Sequence, residues 1–441
     1  MADSSAVDAV SAPPPRKLAP PREIFSWAMF DFANSGYTTV VMTAVFNAYF
    51  VDVVSGSGGA NGLGTLLWTV AVGISYGLVV LTAPILGAVA DYSAAKKRLL
   101  LFCTATCVVF TAMLSLIGPG AVTAGMFVII VANFMYSTGE NLIASFLPEL
   151  GPQDQLGRIS AFGWSIGYLG GLLVLGACLA YVSWAQAHGQ TSTQFVPVTM
   201  LMVAAVFGAA ATPTFLWLSE RAVPRALPAG QSYLTIGFSR LRKTLSEATR
   251  FQDLLRFLIT LLVYSCGTST VVVLAAVYAE QVMGFKTSDT ITMMILVNLT
   301  AAAGAFVFGH VQDRLGSVRT LSLSLVVWLA ATLLAAVTHD RTGFWIAANL
   351  MGIAMGSSQS AGRALVGQFS PPERSAEFFG LWGLSVKLAS VIGPLTYGWV
   401  SYLTGGDHRQ ALLVTAAFFA VSLVLLATVN EARGRSAALA G

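Results

Sequence analysis

The sequence predicts an all-α membrane protein with twelve transmembrane helices in two pseudo-symmetric six-helix bundles. Hydrophobic residues make up 56% of the 441-residue chain and charged residues only 10%. A soluble domain would carry roughly 25% charged residues, so water is not the solvent for most of this surface. The apolar residues form blocks of about twenty or more, each long enough to cross a ~30 Å hydrocarbon core as a helix. The two halves of the chain also carry similar short motifs in the same order.

Polar breaks between the apolar blocks delimit the predicted helices. In chain order the blocks span residues 25–51, 66–90, 99–117, 121–146, 161–183, 197–219, 254–279, 288–310, 320–337, 343–369, 378–403 and 410–430. They divide the chain into an N-terminal tail 1–24, a six-helix bundle 25–219, a linker 220–253, a second six-helix bundle 254–430 and a C-terminal tail 431–441. The N-terminal tail lacks the apolar core of a signal peptide, so we expect it to be disordered.

The positions of the basic residues predict the orientation of the chain. With the N-terminus in the cytoplasm, most of the 24 Lys and Arg residues fall in cytoplasmic segments. The segments on the other side hold only Lys286, Arg341 and Arg409. This positive-inside bias places both termini in the cytoplasm and favours an even number of spans. We expect an integral multi-pass protein of the bacterial inner (plasma) membrane.

The linker contains a pattern typical of an amphipathic helix. Apolar residues recur at spacings of four and three, namely Leu234, Phe238, Leu241, Leu245 and Ala248. Basic residues occupy much of the remaining surface. This pattern predicts a helix that lies on the cytoplasmic leaflet. Nucleic-acid binding is not expected, since the basic residues are those of an inside loop.

The two halves of the chain align as a weak internal repeat. Residues 34–42 align with 265–273, and Gly87-x3-Asp91 aligns with Gly309-x3-Asp313. Residues 138–148 align with 361–371 at a similar distance along the chain. Parallel six-helix repeats are a transporter architecture in which the substrate site lies between the halves.

A loop motif in the second half resembles the signature of the major facilitator superfamily. The motif reads Gly309-His-Val-Gln-Asp313-Arg314-Leu-Gly316-Ser-Val-Arg319 and lies between predicted helices 8 and 9. In the first-half copy Tyr92 replaces the usual basic residue. The string from Gly163 to Gly171 resembles the antiporter signature, although Tyr168 stands where proline is usual.

Two further motifs resemble a narrower branch of that superfamily. They are Trp27-x3-Asp31-Phe32-Ala33-Asn34-Ser35-x-Tyr37 and Asn141-x5-Leu147-Pro148-Glu149. The branch contains vacuolar amino-acid effluxers of fungi and bacterial relatives. The resemblance implies the major facilitator fold and secondary active transport by alternating access. It also implies export of an amino acid or a similar small solute, without a cofactor.

The loop motifs predict gates on the cytoplasmic side. Asp91 and Asp313 end helices 2 and 8, where they can accept hydrogen bonds from the N-termini of neighbouring helices. Arg314 and Arg319 are the nearby basic partners. Such contacts can close the cytoplasmic side and be broken when it opens. The alternative is that these are ordinary loop charges that follow the positive-inside rule.

Four ionisable residues fall well inside predicted helices: Asp31, Glu140, Arg363 and Lys387. Each costs about 2.5–3.5 kcal/mol at the bilayer centre if it faces lipid, so each is expected to face a cavity, a partner or a ligand. In the superfamily fold helices 1, 4, 7 and 10 line the central cavity. The resemblance therefore places one polar cluster there, and the predicted substrate-binding residues are Asp31, Asn34, Tyr136, Glu140, Gln359 and Arg363.

Chemistry suggests a role for each charge in this cluster. Arg363 suits a substrate carboxylate. Glu140 or Asp31 can hold an ammonium group or take up a proton, which makes both candidates for proton coupling. The alternative is that Glu140 and Arg363 neutralise each other as a structural ion pair. The sequence identifies no partner for Lys387.

Other classes of function leave little trace in the sequence. There is no HExxH motif and no G-x4-GK[ST] motif, so neither a zinc peptidase nor an ATP-driven pump is expected. Cys103 and Cys107 share a helix face without a nearby His, so no metal site is expected. A receptor or lipid scramblase on the same fold, or an intramembrane enzyme, stays open as an alternative. The expected partners are a small solute, protons and the bilayer, with the chain as a monomer.

Overall fold

The computed structural model describes residues 17–56, 63–224, 232, 235–239, 242 and 250–439, and all regular structure in these residues is helical. The helices of the first half are α1 Pro21–Tyr37, α2 Phe46–Tyr49, α3 Leu63–Ser93, α4 Lys96–Met113, α5 Val122–Ala144, α6 Leu156–Ala187 and α7 Ser192–Trp217. A short helix, α8, covers 235–239. The second half contains α9 Gln252–Gln281, α10 Thr287–Leu315, α11 Ser317–Val337, α12 Arg341–Phe369, α13 Ser375–Leu403, α14 His408–Leu426 and α15 Glu431–Leu439.

In the described part of the chain, eleven helical segments are long and apolar enough to cross a membrane. The first runs from Pro21 to Val54, because α1 continues through π-helical turns at Thr38–Ala44 and Phe50–Val54. Each of these segments overlaps one predicted span. The remaining prediction, 343–369, corresponds to α12. This helix is continuous over 29 residues, but polar side chains between Ser357 and Arg363 interrupt its apolar sequence. The structure thus supports eleven spans by composition and one further long helix.

The two halves pack their helices in the same pattern. In the first half α1 packs against α6 and α7, and α5 packs against α3 and α4. In the second half α9 packs against α13 and α14, and α12 packs against α10 and α11. Each first-half pair corresponds to a second-half pair when the long helices are counted from the start of each half, leaving out the short α2. This agreement matches the internal repeat found in the sequence.

Small residues bring the halves together along two faces, α3 against α13 and α6 against α10. A Cβ atom on Gly87 of α3 would collide with the backbone oxygen of Ala376 on α13. A Cβ atom on Gly309 of α10 would collide with the side chain of Ala161 on α6. Both close approaches lie where α1 begins and where α3 and α10 end. We call this the basic end, after the basic connections found there.

The α3–α13 face opens toward the opposite end. Gly73 lies on the face of α3 that carries Gly87, since its spacing from Gly87 is close to a whole number of helical turns. A Cβ atom on Gly73, or on Gly398 of α13, would have no atom of the described residues within 4 Å. The α3–α13 face is therefore tight at the basic end and open at the opposite end.

The chain ends and the linker differ from the sequence prediction. The predicted tail 1–24 is too long, since the Ala19 N–H donates to Leu150 O at 2.8 Å and α1 begins at Pro21. Within the predicted tail 431–441, the described residues Glu431–Leu439 form α15; Glu431 accepts a hydrogen bond from Val318 N at 2.9 Å, and Gly434 packs on Phe369.

The predicted amphipathic helix of the linker falls largely outside the described residues. This applies to Leu234, Leu241, Leu245 and Ala248, whereas Phe238 is described and exposed. Within 235–239, Ile236 is buried and Gly237 lies against Ile85 of α3. This segment of the linker therefore packs on the protein.

Candidate functional site

Arg363 extends from the second half into a set of acceptors that belong to the first half. Its Nη1 donates to Asp31 Oδ1 of α1 at 3.0 Å and lies 2.8 Å from Oδ2. Its Nε donates to Ser160 Oγ of α6 at 3.1 Å, and its Nη2 donates to the Ser160 backbone oxygen at 2.9 Å. One guanidinium group therefore ties α12 to both α1 and α6, which uses the forked geometry that only arginine offers.

Aromatic rings and a glycine enclose this pair. The Arg363 Cζ lies 4.6 Å from the ring centroid of Trp27 and 5.2 Å from that of Trp164, within cation–π range. Gly163 lies directly against the pair, because a Cβ atom there would collide with the Asp31 carboxylate and lie 2.7 Å from Arg363 Nη2. The result is a buried and well-bonded ion pair.

Glu140 of α5 pairs with Lys387 of α13, not with Arg363. The Lys387 Nζ donates to Glu140 Oε2 at 3.0 Å. It also lies 5.2 Å from the ring centroid of Tyr76 and 5.7 Å from that of Tyr136. The alternative of a structural ion pair between Glu140 and Arg363 is therefore wrong, and Lys387 has the partner that the sequence did not identify.

The predicted cluster is thus two ion pairs, each joining the two halves. The carboxylates of Asp31 and Glu140 are close enough to interact electrostatically. The pairs differ in exposure: the side chains of Asp31 and Arg363 are 11% and 3% exposed, and those of Glu140 and Lys387 are 22% and 9% exposed. The Glu140 carboxylate is the most accessible charge of the four.

The uncharged residues predicted for the site lie around these pairs. Tyr136 Oη accepts a hydrogen bond from Thr38 Oγ1 at 2.9 Å, and its ring stacks on Tyr37 with centroids 4.9 Å apart. Asn34 is buried one turn after Asp31. Gln359 is half-buried one turn before Arg363. Helices α1, α5 and α12 therefore bring their predicted polar residues into one region.

Several buried polar atoms in this region have no hydrogen-bond partner among the residues that the structure describes. They are Asn34 Oδ1, Tyr37 Oη, Asn133 Oδ1, Ser137 Oγ, Asn141 Nδ2 and Oδ1, Trp164 Nε1, Tyr264 Oη and Ser360 Oγ. A buried polar group costs free energy unless it is hydrogen-bonded, so such a concentration is typical of a site that receives a polar ligand.

A second network of charges lies nearer the basic end. The Nζ of the fully buried Lys96 is 2.9 Å from Glu149 Oε1 and 3.2 Å from Asp91 Oδ1, and it donates to Ser375 Oγ at 2.6 Å. The other Asp91 oxygen accepts the backbone N–H of Glu377, in the first turn of α13, at 2.9 Å. Asp91 thus makes the predicted bond to the N-terminus of a neighbouring helix, and this bond joins the two halves.

The second-half copy of the loop motif is less buried. Asp313 Oδ1 accepts the backbone N–H of Arg158, near the N-terminus of α6, at 3.2 Å. Arg314 and Arg319, predicted as basic partners, are both exposed. A nearby pair of amides joins the halves instead: Gln368 Nε2 donates to Gln153 O at 2.9 Å, and Gln153 Nε2 donates to Gln368 O at 3.2 Å.

Sequence reasoning missed three participants. Ser160 and Trp164, which contact Arg363, carry no charge; Ser160 lies in no recognised motif, and the glycine string that contains Trp164 gives no reason to single out its tryptophan. Lys96 reads as an ordinary inside-loop lysine, although it is completely buried. In the described segments, no group of three or more His, Cys, Asp or Glu side chains is placed to hold a metal ion.

Comparison with known proteins gives one family and several relatives. A family model described as vacuole effluxer Atg22 like matches residues 67–439. The chain is 26% identical over 415 residues to the uncharacterized MFS-type transporter YxiO of Bacillus subtilis, covering 92% of this chain and 94% of that protein. It is 24% identical over 304 residues to autophagy-related protein 22-1 of Penicillium rubens, covering 64% of this chain and 50% of that protein. The chain thus spans about half the length of this fungal relative.

Solved transporter structures share the fold. The human organic anion transporter MFSD10 superposes with a TM-score of 0.74 at 16% identity, covering 92% of this chain and all of that chain. The Major Facilitator Superfamily transporter FucP in its outward conformation gives a TM-score of 0.70 at 14% identity, covering 93% and 98% of the two chains. A bacterial homologue of the iron transporter ferroportin, in an outward-facing state, gives 0.67 at 15% identity, covering 92% and 99%.

Proposed function

The chain belongs to the family of Atg22-like vacuole effluxers, and we propose that it is a secondary active transporter that exports an amino acid or a similar small polar metabolite by alternating access. The family match confirms the resemblance found in the motifs of α1 and α5. The chain is a multi-pass membrane protein with an MFS-type transporter as a relative, and its structural neighbours are transporters rather than enzymes.

One observation carries the proposal: two ion pairs cross between the halves well inside the membrane-spanning helices. A charge in this position is costly, so intramembrane ionisable residues mark substrate or ion pathways. The unpartnered amide and hydroxyl groups around the pairs give the region further capacity to bind a polar solute. Because the pairs connect opposite halves, a solute that binds between them can change how the halves pack.

The packing between the halves supports alternating access. Cross-half hydrogen bonds and glycine contacts close the basic end, while the α3–α13 face is open at the other end. We propose that the basic end is cytoplasmic, in line with the positive-inside rule, so that the molecule is outward-facing in this conformation. The Asp91 and Asp313 bonds then act as the cytoplasmic gate.

The membrane arrangement follows from the same reasoning. We propose α12 as a twelfth span, since its 29 residues cover about 43 Å and its polar residues face other helices. Twelve spans give two six-helix bundles, residues 25–219 and 254–430, with both termini in the cytoplasm. The near-complete match to a bacterial relative supports placement in a bacterial inner membrane. We also propose that the chain acts as a monomer.

Proton coupling is the energy source that the site supports best. Asp31 and Glu140 are the carboxylates at the centre, and each is paired with a cation of the other half. Glu140 is the better candidate, because its carboxylate is the more exposed of the two. A proton that binds there would release Lys387, which links proton uptake to the packing of α5 against α13.

A counterflow experiment tests the transport function. Solutes that accumulate in cells lacking the protein, found by untargeted metabolite comparison, are loaded into proteoliposomes and exchanged against labelled solute. We expect the wild type to exchange at least one of them. Arg363→Lys should reduce exchange by about tenfold or more at normal membrane level, because losing one charge-assisted hydrogen bond costs about 1.5 kcal/mol or more.

Arg341→Lys is the matched control. Arg341 makes an exposed ion pair with Asp289 at the opposite end, with the closest atoms 3.4 Å apart, so its replacement should leave exchange unchanged. Absence of counterflow for every solute tested would reject transport. Full exchange by Arg363→Lys would remove Arg363 from the pathway.

A further inference from the structure

We propose that Glu140 and Lys387 form the subsite for the two charged ends of a zwitterionic solute, whereas Asp31 and Arg363 hold the halves together beneath it. This inference rests on the proposed transport function and adds which residues meet the solute. It separates two ion pairs that the sequence groups into one cluster. The solute class is an α-amino acid with an uncharged side chain.

The hydrogen-bonding capacity of the two cations differs. Arg363 is bound by Asp31 and by two oxygens of Ser160, and its guanidinium faces are covered by two tryptophan rings. Lys387 uses one of its three N–H donors on Glu140, and its ammonium lies beside the rings of Tyr76 and Tyr136. A carboxylate is a stronger partner than a ring face, so Lys387 is the cation that can accept a new ligand.

The Glu140–Lys387 pair lies where the two halves separate. Lys387 lies twelve residues after Ser375, about 18 Å along α13 from the basic end. On the basic side of it, Gly380 packs on Ala83 and holds α13 against α3. On the other side, Gly73 and Gly398 have open space beside them. The pair therefore forms the floor of the open part of the α3–α13 face.

Charge balance favours a zwitterion over a simple ion. The pair of Glu140 and Lys387 is neutral, so a bound anion or cation leaves one buried charge without a partner, which is strongly unfavourable. A zwitterion replaces one ion pair with two: its carboxylate meets Lys387 and its ammonium meets Glu140. No net charge is added, and each buried group stays paired.

Neighbouring groups fit the rest of such a solute. In the described part of the chain, both amide atoms of the buried Asn141 are without a hydrogen-bond partner, and the amide lies against Gly383, one turn before Lys387. Ser137 Oγ, one turn earlier on α5, is also without a partner. These groups can bind the polar backbone of an amino acid, and the rings of Tyr76 and Tyr136 form apolar walls for its side chain.

Ligand-induced thermal stabilisation of the full-length protein in lipid nanodiscs tests the inference. Each of the twenty common amino acids is titrated, and every one that stabilises the protein is compared with its N-acetyl derivative and its methyl ester. We expect both derivatives to bind about tenfold more weakly or worse, because each lacks one charge-assisted hydrogen bond.

Two variants assign the charged ends of the solute. Lys387→Gln should bind the free amino acid and its methyl ester equally, since the residue that distinguishes them is gone. Glu140→Gln should likewise lose discrimination against the N-acetyl derivative. Arg341→Gln, at the exposed pair with Asp289, should keep the wild-type pattern. If Lys387→Gln does not fold, Lys387→Arg replaces it and should change affinity for the free amino acid but not for the ester.

The outcomes separate this inference from the transport function. Equal losses for all three ligand forms in both variants would mean that the pair is only structural. The same conclusion follows if Lys387→Arg leaves all three affinities unchanged. Counterflow of another solute, with no stabilisation by any amino acid, overturns the zwitterion site and leaves transport intact. Failure of all counterflow overturns the proposed function itself.

Discussion

The two ends of the helix bundle hold their charged residues in different ways. At the basic end Lys96 is completely buried between Asp91 and Glu149, and this group also bonds to the first turn of α13 in the other half. At the opposite end Asp340 and Asp407 accept hydrogen bonds from the first turns of their own helices, α12 and α14. Buried charges join the halves at one end, and local charges cap single helices at the other.

This difference shows where the two halves are held together. Removing one partner from a buried ion pair is strongly unfavourable, because the other charge is left without compensation. An exposed pair or a helix cap contributes little to contact between halves. Of the two ends, the basic end is therefore the one where buried ion pairs and hydrogen bonds hold the halves together in this conformation. The open end can close without first breaking such bonds.

Lys96→Met gives the largest expected effect. The substitution leaves the Asp91 and Glu149 carboxylates buried without their shared cation. We expect a loss of about 3–5 kcal/mol in the free energy of unfolding, as for other broken buried pairs. The midpoint of thermal unfolding of the purified protein should fall steeply. We expect no comparable loss of stability from a substitution in the exposed pair at the opposite end.

Arg341→Met is the comparison variant for the opposite end. Arg341 pairs with Asp289 at the surface, where such pairs contribute about 0–1 kcal/mol. Its unfolding midpoint should stay near that of the wild type. Similar losses in Lys96→Met and Arg341→Met would show that the two ends do not differ in the way described.

Gly87→Ala and Gly73→Ala compare the tight end and the open end of the same helix, α3. The new methyl group would collide with the backbone of Ala376, and such overpacking costs about 1–3 kcal/mol. The population should shift toward a state with the basic end open, by about tenfold for each 1.4 kcal/mol. Gly73→Ala, on the same face of α3 but in open space, should shift nothing.

Spin labels on exposed basic-end residues of the two halves, Asp154 and Arg319, measure that shift. The four buried native cysteines are first replaced by alanine. Gly87→Ala should increase the fraction of long distances, while Gly73→Ala should give the wild-type distribution. Identical distributions in all three proteins would mean that the close α3–α13 contact does not control closure.

The membrane makes much of this fold predictable from sequence. Each span must satisfy its own backbone hydrogen bonds and cover the hydrocarbon core, so apolar block length locates the helices directly. Residues 343–369, predicted from an apolar block, form the helix α12, although its composition does not place it among the eleven span-like segments of the described chain. The bond from Asp91 to a neighbouring helix N-terminus also follows from its place at the end of α3.

The partners of the intramembrane charges could not be predicted in the same way. Spacing gives the face and depth of a side chain on its own helix, but not the rotation of the helix beside it. Glu140 and Arg363 occupy equivalent repeat positions with opposite charge, which suggested that they pair. In the structure Gly163 lets Arg363 approach Asp31, and Glu140 is left to pair with Lys387. The sequence shows two acidic and two basic residues inside the spans, enough for two ion pairs. It does not show which acidic residue pairs with which basic one.

Asp407→Asn gives the smallest expected effect and tests the local character of the open end. Hydrogen bonds from the backbone N–H of Gln410 and its neighbours lower the pKa of the Asp407 carboxyl. With a folded pKa below the unfolded value of about 3.9, the stabilisation is present above about pH 4 and is lost as the pH falls through the folded pKa. Asparagine caps a helix nearly as well at any pH.

The wild type and the variant should therefore differ slightly in unfolding midpoint near neutral pH and converge in acid, with equal counterflow rates. A midpoint loss as large as that of Lys96→Met, or a loss of counterflow, would mean that this cap also holds the halves, and the contrast between the ends would fail.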